Sequence, residues 1–268
     1  MAESVHPPWF NPERPSQDDG VLPFILERNA RDCAEDVAFR FDTGDVWTHK
    51  ETLDKTRRTA AFLAAHGVSR GDLVVVWLPS GPDIIRTWFA LNYLGAVFVP
   101  LNLDYRGSLL QHAISETHAS LMIAHPGLVD RLELIGDSPL QKVLVPGELE
   151  KAPDISAEIV PCTLDFDEQI TEPADVNLWD PQLVIFTSGT TGPSKGVLCP
   201  YLHQYRVGEC CYGYMTTDDC IMIDLPMFHV GGVSSVMGGV CKQAIVALYS
   251  GFSTNDFWTR IRDNNATS

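Results

Sequence analysis

A chain of 268 residues can bury a sizeable core, as one large domain or two small ones. Its 35 acidic residues against 19 basic ones give a formal net charge of −16. That is the reverse of a nucleic-acid binder's basic footprint, so no nucleic-acid partner is expected. Seven cysteines, an odd count with no Cys-x-x-Cys pair, argue against a metal framework or a secreted disulfide scaffold and read as reduced, mostly buried thiols.

Met1 to Pro15 is polar and proline-rich with no apolar signal core, and no apolar run approaches the length of a bilayer span. The expectation is a cytoplasmic protein without a membrane span. Residues 1–20 read as a flexible N-terminal arm, with Trp9 and Phe10 as candidates to dock it on the body. Leu22 to Cys33 carries helical spacing, Val37 to Phe41 alternates as a strand, and Asp42-Thr-Gly44 turns it into Asp45 to Thr48, a hairpin. Thr48-x-x-Glu51 forms a capping box for a helix that Gly67 stops. Leu73-Val-Val-Val-Trp-Leu78 is a continuous apolar run suited to a central parallel strand. Pro79-Ser-Gly-Pro82 starts a helix apolar on more than one face, which should be well buried.

The alternation continues with strands at Ala96 to Val99, Leu121 to Ala124 and Lys142 to Val145, separated by helices around Leu109 to Ile114 and Leu128 to Leu134. Alternation at this spacing predicts an α/β fold of mostly parallel sheets flanked by helices. Gly147 to Asp180 is acidic, proline-containing and aperiodic, and reads as a long surface connection. Later come a helix from Tyr201 to Tyr214, a strand at Ile221 to Asp224 and a glycine-bearing helix from Val233 to Cys241. A strand at Ala244 to Tyr249 and a helix at Phe257 to Arg262, capped through Ser253-x-x-Asp256, complete the series. That last helix should lead into another strand, and the sequence ends as if cut inside a repeating unit.

Between these halves lies Leu183-Val-Ile-Phe-Thr-Ser-Gly-Thr-Thr-Gly-Pro-Ser-Lys-Gly-Val197. Leu183 to Phe186 reads as a buried strand and Gly196 to Cys199 as a second, with a glycine- and hydroxyl-rich loop between them. Glycines bring backbone N–H groups close to a ligand, hydroxyls add donors, and one lysine adds a compact charge, which together make a cradle for polyphosphate. The spacing is not that of Gly-x-x-x-x-Gly-Lys-[Ser/Thr], and no helix clearly follows. A plain hydroxyl-rich hairpin is the bland alternative.

Thr187-Ser-Gly-Thr-Thr-Gly-Pro-Ser-Lys-Gly196 resembles the phosphate-loop signature of the adenylate-forming, or AMP-binding, superfamily. That superfamily contains acyl-CoA synthetases, aryl-CoA ligases, peptide-synthetase adenylation domains and firefly-type luciferases. Most members place Pro directly before the Lys; here Ser194 separates Pro193 from Lys195. The resemblance implies that Thr187, Ser188, Gly189, Thr190, Thr191, Gly192 and Lys195 hold the β- and γ-phosphates of ATP, with Thr187 also meeting Mg²⁺. Lys195, at the loop's end, is suited by charge to neutralise a phosphate. Pro226-Met-Phe-His-Val-Gly-Gly232, where a strand meets a glycine-rich turn, resembles the family's second signature. It implies that Phe228, His229, Gly231 and Gly232 line the acyl pocket. His229 is the candidate catalytic residue, orienting the substrate carboxylate and opening the thiol's path rather than acting as a general base.

The other histidines, at 6, 49, 66, 112, 118, 125 and 203, show no metal-ligand spacing. Asp218-Asp219 reads as a solvated turn and Cys210-Cys211 as helix packing. Leu91 to Asn102 with Tyr105-Arg106 is similar to the acyl-CoA and carnitine-CoA ligase branches. The implied activity is an ATP-dependent carboxylate–CoA ligase acting through an acyl-adenylate, with ATP, Mg²⁺, coenzyme A and a small carboxylic acid as ligands. The implied organisation is the N-terminal part of the family's large domain: 21–180 as a first α/β part, 181–268 as the phosphate-loop part. The adenine, ribose and C-terminal lid segments are expected to be absent, so the chain alone should not turn over. Two alternatives stand beside it, a non-catalytic nucleotide- or partner-binding paralogue and an adenylate-forming enzyme with another acceptor, such as a carrier protein or a luciferase-like oxygenase. The sequence carries no signal for an oligomeric state or for the identity of the acid.

Overall fold

The computed structural model describes residues 7–187 and 194–268. Two short helices, α1 (Gln17–Gly20) and α2 (Leu22–Asp32), precede the hairpin of β1 (Val37–Phe41) and β2 (Val46–Thr48). The capping box opens α3 (His49–Ala65): Thr48 N donates to Glu51 Oε2 at 2.9 Å and Glu51 N to Thr48 Oγ1 at 3.2 Å. There follow β3 (Leu73–Trp77), α4 (Pro82–Tyr93), β4 (Val97–Pro100), α5 (Gly107–Thr117) and β5 (Leu121–Ala124). The helix expected around Leu128 to Leu134 is a 3₁₀ helix, Val129–Leu134. The remaining elements are β6 (Lys142–Pro146), β7 (Glu158–Cys162), β8 (Pro181–Thr187), β9 (Lys195–Pro200), α6 (Tyr201–Tyr212), β10 (Cys220–Ile223), α7 (Val230–Cys241), β11 (Ile245–Leu248) and α8 (Phe257–Asn264).

A seven-stranded sheet runs in the order β7-β6-β5-β3-β4-β8-β9, and a four-stranded sheet in the order β10-β11-β1-β2. Each is parallel except for one outer pair, β8–β9 in the first and β1–β2 in the second. The valine run of β3 sits at the centre of the larger sheet, buried on both faces, as its uninterrupted apolar character requires. One face of that sheet packs Val75, Trp77, Val97, Val99, Met122 and Val184 against α5 and the 3₁₀ helix. The opposite face joins a larger core shared with α2, α3, α4, α7 and the smaller sheet. Five layers result, with helices outside, between and beyond the two sheets. α8 lies on the outer face of the small sheet, where Arg40 Nη1 donates to Asn264 O at 3.1 Å.

Two expectations need correction. The connection from Gly147 to Asp180 is not only surface: it contains β7, parallel to β6, and buries Leu164, Val176 and Leu178. β7 is an edge strand carrying Pro161 and is half exposed, so it shows no apolar run. Ser253 does not cap α8. Its Oγ accepts from Asp256 N at 3.3 Å and donates to Asp256 Oδ2 at 2.8 Å, closing a turn just ahead of the helix. Among the described residues no strand follows α8, but the last residues bond the edge of β10: Ser268 N donates to Cys220 O and Met222 N to Ser268 O.

Residues 7–20 are tied to α6. Trp9 Nε1 donates to Cys210 O at 3.2 Å and its ring meets Tyr214 edge-on at 5.2 Å. The Arg206 guanidinium donates to the carbonyls of Asn11, Pro12 and Glu13 and lies over the Phe10 ring, so both docking candidates are engaged.

Candidate active site

The phosphate-loop stretch forms a strand–loop–strand hairpin, as its apolar flanks predict. β8 and β9 pair antiparallel, with Thr187 opposite Lys195 at the open end. Leu183, Val184 and Ile185 are buried, while Thr187 and Lys195 are exposed. The Thr187 hydroxyl faces the Lys195 carbonyl at 3.4 Å, a long contact. The Lys195 ammonium has no ion-pair partner among the described residues. A cation without an ion-pair partner among the described residues, beside a hydroxyl held only by a long contact at the carboxyl end of a strand, can receive an anion at little cost. Ser188, Gly189, Thr190, Thr191 and Gly192 lie outside the described residues.

The second group sits at the start of α7, following β10. His229 is the N-cap residue; its N–H donates to Pro226 O at 3.1 Å and its carbonyl accepts from Val233 N at 3.2 Å. Its imidazole is exposed and makes no cap bond, Phe228 is half-buried, and Leu225 and Val230 are exposed beside it. Gly232 is needed here, because a Cβ would lie 2.3 Å from Pro226 O. No hydrogen bond or ion pair among the described residues links His229, Phe228, Gly231 or Gly232 directly to Thr187 or Lys195.

The link between the groups is α6, which leaves the end of β9 and packs on α7. Ser234 Oγ donates to Gln204 Oε1 at 2.8 Å inside the core, and Tyr212 and Ser235 share a 2.6 Å hydroxyl pair. Ser235 Oγ in turn donates to Gly231 O at 2.7 Å. One residue near the hairpin carried no sequence signal: His112, 82 positions before Ser194, whose Nε2 lies 2.7 Å from the Ser194 carbonyl. Only the three-dimensional placement of α5 identifies it.

A cleft of about 450 Å³ opens elsewhere, at the carboxyl ends of β1, β3, β5, β6 and β11, lined by Asp42, Ser80, Asp83, His125 and Ser250. Asp83, at the first turn of α4, has its carboxyl raised by burial, an effect that Arg86 and His125 oppose. The cleft holds none of the candidate residues. Among the described residues no group of three His, Cys, Asp or Glu could hold a metal ion.

Residues 26–268 match the profile of the family described as AMP-binding enzyme. The chain belongs to that family. This AMP-binding chain is 32% identical over 237 residues to the mouse (Mus musculus) long-chain fatty acid transport protein 6, a match covering 86% of the chain and 38% of that protein. It is 28% identical over 262 residues to the medium/long-chain-fatty-acid–CoA ligase FadD6 of Mycobacterium tuberculosis, covering 95% of the chain and 42% of the ligase. The chain thus spans about two-fifths of the length of these curated relatives. Among solved structures, the long-chain-fatty-acid–CoA ligase FadD1 of Archaeoglobus fulgidus superposes with a TM-score of 0.78 at 22% identity, over 93% of the chain and 51% of that structure. The N-terminal domain of FACL13 from Mycobacterium tuberculosis gives 0.77 at 19% identity, over 92% and 61%. At these identities the structural likeness speaks to fold, which is that of the N-terminal domains of acyl-CoA ligases.

Proposed function

We propose that this chain carries the polyphosphate-binding and part of the acyl-binding surface of an ATP-dependent acid–thiol ligase, an acyl-CoA synthetase. The observation that carries this reading is the β8–β9 hairpin, with Thr187 and Lys195 opposite each other at its open end and no ion-pair partner for Lys195 among the described residues, within a chain of the AMP-binding family. Thr187, Ser188, Gly189, Thr190, Thr191, Gly192 and Lys195 bind the β- and γ-phosphates of ATP. Lys195 neutralises negative charge, and the Thr187 hydroxyl would contribute an oxygen to a Mg²⁺ bound with the nucleotide, which would offset phosphate charge.

In the complete enzyme a carboxylate oxygen attacks the α-phosphorus of ATP, pyrophosphate departs, and the thiol of coenzyme A then attacks the acyl carbon and displaces AMP. Holding both reactants in line accounts for much of such a rate, and cationic groups stabilise the charge that develops. Phe228 and the exposed Leu225 and Val230 offer apolar surface to the acid at the start of α7. His229 orients the carboxylate, and Gly231 and Gly232 let it approach the helix backbone. The names of the matched relatives, a fatty-acid–CoA ligase and a feruloyl-CoA synthase among them, favour a CoA acceptor over a carrier protein and do not single out the acid. A cytoplasmic site of action fits a chain in which no helix among the described residues is long and apolar enough to cross a membrane.

The test is MgATP binding by the chain before and after Lys195→Ala. Losing a charge-assisted contact of about 1.5–3 kcal/mol lowers affinity roughly ten- to a hundredfold. An unchanged affinity refutes the hairpin assignment. The 268 residues alone should bind nucleotide weakly and not turn over. Carboxylate-dependent pyrophosphate release from this chain would overturn that part, and a carboxylate panel with CoA on the longest polypeptide of the gene would identify the acid.

A further inference from the structure

The hairpin's open end is held from outside by α5. His112 Nε2 lies 2.7 Å from the carbonyl oxygen of Ser194, the residue before Lys195. A carbonyl oxygen only accepts, so the ring presents an N–H at Nε2. The helix that carries His112 is firmly seated. Leu110, Ala113 and Ile114 are fully buried in the same core as Val184 of β8, with Phe186 packed against them. The neighbouring Gln111 bonds the segment after the 3₁₀ helix, accepting from Gly136 N at 3.3 Å and donating to Asp137 O at 3.4 Å. One helix therefore packs on the strand entering the hairpin and hydrogen-bonds the segment leaving it.

Among the described residues, that exit is otherwise held by the pairing of β9 with β8 on one side only. The Thr187 hydroxyl contact to Lys195 O is long, at 3.4 Å. β9 is the edge strand of its sheet, with Gly196, Val197 and Leu198 exposed. An edge strand paired on one side frays at its end unless something pins it. The Ser194–His112 bond is that pin, one residue from the cation.

We propose that His112 is a positioning residue for polyphosphate binding. By donating its Nε2–H to the Ser194 carbonyl it fixes the start of β9, keeps Lys195 in register with Thr187 and presents the ammonium in one direction. It does not touch the nucleotide; it lowers the entropy lost when Lys195 closes on a phosphate. This rests on the reading of the hairpin as a phosphate site and adds a residue that the family signature does not contain.

The experiment uses the ¹⁵N-labelled chain. Long-range ¹H–¹⁵N spectra of the imidazoles should show His112 protonated at Nε2; an Nδ1–H-only ring overturns the proposal. MgATP titrations followed by amide shifts then compare wild type, His112→Ala, His112→Gln, Lys195→Ala and the His112→Ala/Lys195→Ala pair. His112→Ala should weaken binding roughly three- to tenfold, the worth of one hydrogen bond. His112→Gln, which restores a donor, should recover most of it. On the Lys195→Ala background, His112→Ala should cost little more, because the group it positions is gone. A purely structural role would give equal losses on both backgrounds and would refute positioning. Loss in Lys195→Ala with none in His112→Ala overturns the role of His112 while the phosphate reading stands. A wild-type chain without a MgATP response, or no loss in Lys195→Ala, removes both.

Discussion

Replacing Gly232 by alanine tests how the start of α7 is built, with Gly231→Ala as its internal control. Both residues lie in the first turn of α7, so both substitutions gain the same helix propensity, about 1 kcal/mol. They differ in what the new methyl meets. At 231 the nearest atom is Leu225 Cδ1 at 3.1 Å, the tip of an exposed side chain that can swing away. At 232 the methyl would lie 2.3 Å from Pro226 O and 2.8 Å from Pro226 C, with Met227 Cε at 2.9 Å. Backbone cannot swing, and Pro226 O is also the acceptor of the His229 N–H. Forced overlap of this kind costs about 1–3 kcal/mol, and contact with backbone puts it at the upper end.

The net expectation is a loss of about 2 kcal/mol for Gly232→Ala and a change between zero and about +1 kcal/mol for Gly231→Ala. At 2–4 °C per kcal/mol for a chain of this size, melting should fall by roughly 4–8 °C in the first and hold or rise slightly in the second. Thermal unfolding of the three proteins, followed by circular dichroism in one buffer, reads this directly. A Gly232→Ala protein that melts at or above wild type, or equal shifts in both variants, would refute the close approach and with it the account of how His229 is presented.

Two smaller effects follow from the same physical reading. Thr48→Ala removes the side-chain half of the capping box on α3 and should cost about 1 kcal/mol in urea unfolding, with Thr48→Ser close to wild type; equal stability of all three would dismiss the cap. Burial holds the His49 imidazole below its usual range, opposed by Asp36 and reinforced by Arg28, and its Nε2 is buried without a partner among the described residues. The unfolded chain takes up that proton near pH 6.5 and the folded chain only lower, so stability should fall as pH drops below about 6.5. His49→Leu should flatten the change in urea midpoint between pH 7.5 and 5.5, and an unaltered slope in the variant would remove His49 from the acid sensitivity.

Elements with a strong local pattern were legible in the sequence. The valine run Leu73–Trp77, the Thr48–Glu51 box and the apolar flanks of the hairpin each fix their own conformation, and the structure has all three. β7 was not legible, because it is an edge strand stabilised by pairing with β6 rather than by its own composition. The turn at Ser253 looked like a helix cap because Ser-x-x-Asp suits either, and only the position of α8 decides. Lys195 and His229 could be singled out because each sits in a contiguous motif. His112 could not, since its partner is 82 residues away and a lone histidine on a helix face has no motif.

The two signatures fall in different sheets, yet α6 joins them with little slack. The helix follows directly from β9, and Gly208 meets Gly238 of α7 so closely that a Cβ would stand 3.3 Å from the backbone. Side chains absorb small displacements by changing rotamer, whereas a glycine-to-glycine contact has none to change, so α6 and α7 move as one piece. The buried Gln204–Ser234 bond and the Tyr212–Ser235–Gly231 chain extend that contact towards the first turn of α7. From the other leg of the hairpin, Gln182 of β8 reaches Met237 of α7 at 3.6 Å. A shift of the hairpin against α7 would strain the two buried contacts, Gln204–Ser234 and Gln182–Met237, at a cost of about 1–3 kcal/mol for each polar group left unsatisfied. The placement of Lys195 relative to the start of α7 at His229 is therefore held through contacts in the core.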